Sequence, residues 1–201
     1  MNDQEMLRAA ITVIENEAQA VRAVAGQLDG SLTETLLRLL ECAGHVLVTG
    51  TGTSRFVAER FAHLLCCSGT PALFINAADS LHGGAGAVTA RDVVFIISKG
   101  GRSAEINQFA AIARTRGAGL IALTETADSP LAQTCDLILR IKAAEGVDPY
   151  GMIATGSSLV NAAVCDALCV LVLQLRGYTR EQFRQTHPGG AVGQQWEEKK
   201  S

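Results

Sequence analysis

With 201 residues, 48% of them apolar and 4% aromatic, the chain has the material for one domain with a sizeable core. A formal net charge of -3 and a pI near 5.8 argue against a general nucleic-acid binder, which would carry a basic stripe. The polar, acidic start MNDQEMLRAA is unlike a secretory signal, and the most apolar run, 159–175, is broken by Asn161 and Asp166 and is short for a bilayer. The expectation is therefore a cytoplasmic protein without a membrane span.

Apolar residues from Leu7 to Val24 recur at helical spacing and predict a helix over 3–26, broken by Gly26 and Asp29-Gly30. Ser31, with Glu34 three residues on, reads as the capping box of a second helix that ends near Gly44. The rhythm then changes to short apolar, β-branched runs that end in glycine or polar residues, the pattern of buried parallel strands. These are HVLVTG (45–50), PALFIN (71–76), DVVFIIS (92–98), GLIALT (119–124) and DLILRI (136–141). Helices are expected between them at about 54–68, at 103–116 and briefly after Ser129-Pro130. A long apolar helix, roughly 153–176, closes the core, and the segment from His187 is expected to be irregular and then mobile.

This alternation predicts an α/β fold: a three-layer α-β-α sandwich around a five-stranded parallel sheet in flavodoxin-like order, with added N-terminal helices. Residues 1–44 form the helical segment, 45–194 the ligand-binding domain and 195–201 a flexible tail. The six cysteines, at 42, 66, 67, 135, 165 and 169, show no zinc-ligand spacing and read as free, buried, reduced thiols.

In doubly wound sheets, ligands sit beyond the carboxyl ends of strands where the strand order reverses. That directs attention to TGTGTSRF (49–56) after the first strand and SKGGRSAE (98–105) after the third. Each places glycines and hydroxyls between a strand end and a helix start. Glycine lets backbone approach a ligand, and the helix N-terminus offers unpaired N–H groups, so together they make an anion cradle suited to phosphate. Neither loop is a Walker loop, and Arg55 stands where a dinucleotide fingerprint needs glycine. An ordinary strand-to-helix turn uses the same residue types, so each loop alone is ambiguous; the pair is less so.

The pairing of GTGTS (50–54) with ISKGGRSAEI (97–106) resembles the sugar isomerase (SIS) domain, a phosphosugar-binding fold, over about residues 30–194. SGTPALFINAADSLHGGAG (68–86), GYTREQF (177–183) and THPGGAVG (186–193) resemble, within it, the arabinose 5-phosphate isomerases. Many of those carry a C-terminal pair of CBS domains, and this sequence ends before such a pair would begin. The resemblance implies that Ser54, Ser98 and Ser103 hold a phosphate, within loops that also contain Gly52, Thr53, Lys99, Gly101 and Arg102. It places Ser157 and its neighbour Ser158 in a segment that closes over the sugar, although helix capping accounts for them equally well.

The implied activity is that of a sugar-phosphate aldose–ketose isomerase, an intramolecular oxidoreductase. Isomerisation through an enediol needs a base between C1 and C2 and something to steady the enediolate oxygens. Glu105 is the implied base and Glu145 a weaker candidate, with His82 and His187 for ring opening or oxygen protons. Several positions depart from the family pattern. Thr53 and Gly146 stand where lysine and glutamate are usual, Gly84 replaces an acid, Gly100 a serine, and Arg102 a glutamate. A non-catalytic phosphosugar sensor is therefore the alternative. No metal or cofactor is required, and the resemblance implies a homodimer or homotetramer whose sites are completed by a neighbour.

Overall fold

In a computed structural model, residues 1–189 are described. Five parallel strands, β1 (Val46–Gly50), β2 (Ala72–Phe74), β3 (Val93–Ile97), β4 (Gly119–Thr124) and β5 (Leu137–Arg140), lie in the order β2-β1-β3-β4-β5. This is the expected flavodoxin-like winding. All residues of β1 and β3 are buried, as central strands covered on both faces must be. They pair from Val46 with Val93 to Gly50 with Ile97, so their carboxyl ends are level. The chain leaves β1 toward β2 on one side and then crosses to β3 on the other, so the sheet's switch point lies between the β1 and β3 loops.

One face of the sheet is covered by α1 (Asp3–Val24), α2 (Gly30–Glu41), α3 (Thr53–Cys67) and α7 (Thr155–Arg176). Phe61 of α3 meets Phe95 of β3 edge-to-face, with ring centroids 4.9 Å apart. The other face carries α4 (Ala77–Ser80), α5 (Ala104–Thr115) and α6 (Pro130–Thr134), with Phe109, Ile106 and Leu131 fully buried. Ala20, Val24, Leu36 and Leu39 belong to the same core cluster as β1 and β3, so the N-terminal helices share the core of the sheet domain. Helix α7 is long and apolar enough to cross a membrane, but it packs against α1, α2 and α3 and buries Val160, Val164, Leu168 and Val172.

Four expectations are corrected. The cap of α2 is Asp29, not Ser31: Asp29 Oδ1 accepts from the Ser31 amide at 2.8 Å and the Ser31 hydroxyl at 2.6 Å. Glu34 makes no capping box and pairs instead with Arg38, one turn on. The first helix ends at Val24 and passes into a 3-10 turn over Ala25–Gln27. Only Cys165 and Cys169 are buried; Cys66 is exposed and Cys42, Cys67 and Cys135 are half-buried. Helices α4 and α8 (Arg180–Thr186) have no counterpart among the expected elements. Helix α8 opens with a reciprocal Thr179–Gln182 capping box. The flexible tail expected at 195–201, and the HPGG segment from Gly190 on, lie outside the described residues.

Candidate functional site

The cradle is built where β1 and β3 end side by side. A Cβ on Gly50 would lie 2.8 Å from the Ser54 carbonyl oxygen and 3.1 Å from that of Ile97, so only glycine lets the two loops approach. Helix α3 starts from Gly52, at φ +56° and with no side-chain cap. The Arg55 amide bonds back to the Gly52 carbonyl at 3.2 Å, and no side chain caps the Thr53 and Ser54 amides ahead of it. Helix α5 starts from Ser103, which also makes no side-chain cap bond. Between them, Ser98 is buried and Gly101 turns the chain at φ +61°.

These pieces enclose a cavity of about 240 Å³, lined by Thr51, Ser54, Ser98, Lys99, Arg102 and Ser103. Two helix N-termini and three serine hydroxyls face one volume, which is the composition of an anion site. Neither Lys99 nor Arg102 takes part in an ion pair among the described residues. Arg55 is otherwise engaged: it pairs with Glu59 at 2.7 Å and lies over the Phe74 ring.

The loop over the cradle is braced from below. Asn107 Nδ2 donates to the carbonyls of Gly101 (3.2 Å) and Ser103 (2.8 Å). The Lys99 carbonyl accepts from the Thr124 hydroxyl and the Glu125 amide, each at 3.0 Å. The Leu131 amide donates to the Gly101 carbonyl at 3.3 Å, which anchors the turn to the start of α6. Rigid first contacts of this kind are what a binding site needs in order to hold a ligand in one pose.

Lys99 also lines a second, adjoining cavity of about 290 Å³, together with Glu125, Lys142, Glu145, Gly146 and Ser157. The loop after β5 forms one wall. It is gathered on Asp148, whose carboxylate accepts from the amides of Tyr150, Met152 and Ile153, bonds that hold it below the usual carboxylate range. The wall fits against α7 at Gly156, where a Cβ would collide with Val147 at 2.7 Å. Ser158 donates back to the Ala154 and Thr155 carbonyls, whereas Ser157 faces the cavity. Neither serine caps the helix.

The structure thus brings together Ser54, Ser98, Lys99, Arg102 and Ser103 in one cavity, and joins Glu145 and Ser157 to them through Lys99. Gly52 and Gly101 shape the turns. Thr53 is exposed at the start of α3 and lines neither cavity. Glu145 is 89% exposed and reaches Lys142 at 3.3 Å. Glu105, half-buried in the first turn of α5, and His82, exposed between α4 and the following 3-10 turn, line neither cavity.

His187 is placed elsewhere. Its ring stacks on Phe183 at 3.7 Å, and its Nε2 lies 3.3 Å from Cys67 Sγ. Cys67 is the last residue of α3 and Ser54 lies in its first turn, so the two ends are separated by about 20 Å at 1.5 Å per residue. Burial pushes the Cys67 thiol up, and it pushes that of Cys169 up to about 12. Neither is a thiolate at neutral pH. Among the described residues no group of three His, Cys, Asp or Glu side chains is arranged to hold a metal ion.

The SIS domain profile matches residues 39–171, a span that begins at the end of α2, contains both loops and ends inside α7. The chain belongs to the SIS domain family. SIS relatives include the arabinose 5-phosphate isomerase KdsD of Pseudomonas aeruginosa, 32% identical over 189 residues. Those residues are 94% of this chain and 58% of KdsD, so the chain spans less than two thirds of that relative. KpsF, an arabinose 5-phosphate isomerase of Escherichia coli, is 29% identical over 95% of this chain and 59% of its own.

Among solved SIS structures, one from Listeria monocytogenes superposes with a TM-score of 0.91 at 32% identity, over 94% of this chain and all of that one. An E. coli protein solved in complex with a sugar phosphate superposes at 0.90 with 31% identity, over 94% and 100% of the two chains. Sequence reasoning missed Thr51, Asn107 and Glu125. Thr51 belonged to the loop already singled out, and Glu125 stands at the carboxyl end of a predicted strand, where ligands bind in such sheets.

Proposed function

We propose that this protein is a sugar-phosphate aldose–ketose isomerase, with arabinose 5-phosphate and ribulose 5-phosphate as the substrate pair to test first. The observation that carries the reading is the convergence of Ser54, Ser98, Ser103 and the N-termini of α3 and α5 on one cavity. A phosphate there takes hydrogen bonds from hydroxyls and helix amides, and charge from Lys99 and Arg102. The adjoining cavity, which shares Lys99, receives the carbon chain. The similarity to KdsD and KpsF, and to a protein solved with a sugar phosphate, supports this substrate class.

In this reading the phosphate is the handle that fixes C1 and C2 relative to the protein's charged groups. Lys99 or Arg102 replaces the charge of the lysine that the family pattern has in place of Thr53, and Lys99, which lines both cavities, steadies the enediolate oxygens. Glu125 and Glu145 offer carboxylates for proton transfer from the wall of the adjoining cavity, and Glu105 is the carboxylate that the family pattern implies. His82 and His187 enter from neighbouring copies. Leu7, Ile11 and Ile14 form an exposed apolar stripe on α1, and Val170, Leu173 and Leu175 lie exposed on α7, surfaces suited to self-association. A dimer or tetramer in light scattering at micromolar concentration is the expected result; a monomer would remove the histidines from the mechanism.

The test is NMR of arabinose 5-phosphate in deuterated water with the enzyme. Deuterium gained at C1 or C2 supports isomerisation. The sensor reading has its own support in the exposed position of Thr53 and in Gly146, which brings no carboxylate to the cavity. It predicts thermal stabilisation by sugar phosphates without any label gained.

A further inference from the structure

We propose that Glu125 is the carboxylate that carries the proton between C1 and C2. The inference rests on the isomerase reading and names a residue that the family pattern does not point to. Four carboxylates compete for the role, and their geometry separates them. Asp148 lines the second cavity, but both of its oxygens accept from the amides of Tyr150, Met152 and Ile153. Glu105 lines neither cavity. Glu145 lines the second cavity, but it is 89% exposed and its oxygen faces Lys142. A solvated side chain held by one exposed ion pair has no fixed position. Glu125 lines the same cavity from a strand end, and it is held at both ends.

Its backbone is pinned by the bond from its amide to the Lys99 carbonyl at 3.0 Å. Its side chain is pinned by the Ala143 amide, which donates to Oε1 at 3.2 Å. The second carboxylate oxygen takes no bond within the described residues. A base needs this arrangement: one oxygen fixed by the protein and one left for the substrate, on a rigid element. The same bond explains how the missing glutamate at Gly146 is made good. Glu125 reaches across from β4 to the segment just before Gly146, and so supplies a carboxylate to that wall.

The step balances. The free oxygen of Glu125 takes the proton from C2 of the open-chain aldose. The C–H electron pair becomes the C1–C2 double bond, and the carbonyl pair moves onto O1, where the Lys99 ammonium faces it. O1 gains a proton as O2 loses one through Lys99. The Glu125 carboxylic acid then returns its proton to C1, leaving a carbonyl at C2 and both partners as they began.

The test compares the wild type with Glu125→Gln by deuterium exchange, by steady-state kinetics and by melting temperature with and without arabinose 5-phosphate. Glutamine keeps an acceptor for the Ala143 amide and loses the base. The expected result is a fall of about 10²- to 10⁴-fold in kcat and exchange, with KM within a few-fold and the ligand-induced rise in Tm retained. Glu125→Ala, assayed with added formate, covers the case in which Gln disturbs the fold. Saturable recovery of activity with formate supports a base, because a tie between β4 and the β5 loop is not restored by a small carboxylate. Exchange in Glu125→Gln at the wild-type rate overturns the proposal while leaving the isomerase reading intact. So does loss of Tm in both variants without formate rescue. A wild type that exchanges with no pentose or hexose phosphate overturns both.

Discussion

Gly101 is the position at which cradle geometry is most exposed to a single methyl group. It stands at φ +61°, where any other residue is strained by about 1–2 kcal/mol. A Cβ there would also lie 2.2 Å from Ser129 Oγ and 2.6 Å from Ser129 Cβ. Ser129 cannot step aside, because it is fully buried and its hydroxyl caps α6 by accepting from the Ala132 amide at 3.2 Å. Overpacking at such a site costs about 1–3 kcal/mol. Gly101→Ala should therefore cost about 2–5 kcal/mol, and at 2–4 °C per kcal/mol for a chain of this size Tm should fall by roughly 4–20 °C. The turn must also shift, and arabinose 5-phosphate should no longer raise Tm. The two causes separate in a double-mutant cycle by urea unfolding. Ser129→Gly removes the colliding atoms but not the strain, so Gly101→Ala should cost only about 1–2 kcal/mol in that background. Equal costs in the two backgrounds would refute the steric part, and a cost below about 0.5 kcal/mol in the wild type would refute both.

Ser103→Ala should leave Tm unchanged, since the hydroxyl makes no cap bond, and should weaken arabinose 5-phosphate binding about 10- to 100-fold in calorimetry, the value of a hydrogen bond to a charged group. Asp136 is desolvated, which raises its pKa, but the Leu120 amide at 2.8 Å and the Arg114 guanidinium at 2.6 Å outweigh this and hold it below the ordinary 3.8. A depressed folded value means stability that is present above 3.8 and is lost as pH falls through the folded value. The urea midpoint should therefore drop more steeply in acid for the wild type than for Asp136→Asn. Asp29→Ala should lower Tm more than Glu34→Ala does, because Asp29 rather than the Ser31–Glu34 pair starts α2.

The strands were legible because a buried parallel strand needs a short β-branched run, and glycine or a polar residue marks where it stops. The cradle was legible for a related reason: Gly50, Gly52 and Gly101 answer steric demands that no other residue meets, Ser54 and Ser103 stand at helix starts, and Ser98 follows the end of β3. Asp29 and Ser31 are both good caps two residues apart, and periodicity does not choose between them. Helix α8 carried a readable sign, Thr179 with Gln182 three residues on, in a segment too short and polar to show a period. Adjacent cysteines at 66 and 67 cannot both face the core of a helix that turns 100° per residue, so one had to be exposed. The positions of His187 and Glu125 depend on packing between distant segments. His187 meets Cys67 from 120 residues away, and Glu125 meets Ala143 across two strand ends. No local pattern encodes either contact.

The central claim is that the β1 and β3 loops hold the phosphate of a sugar. A crystal structure grown with arabinose 5-phosphate tests it most directly. The account predicts the phosphate within hydrogen-bonding distance of the Ser54, Ser98 and Ser103 hydroxyls, at the N-termini of α3 and α5, with C1 and C2 in the cavity lined by Lys99 and Glu125. A phosphate bound anywhere else, or a sugar chain pointing away from Glu125, would contradict it.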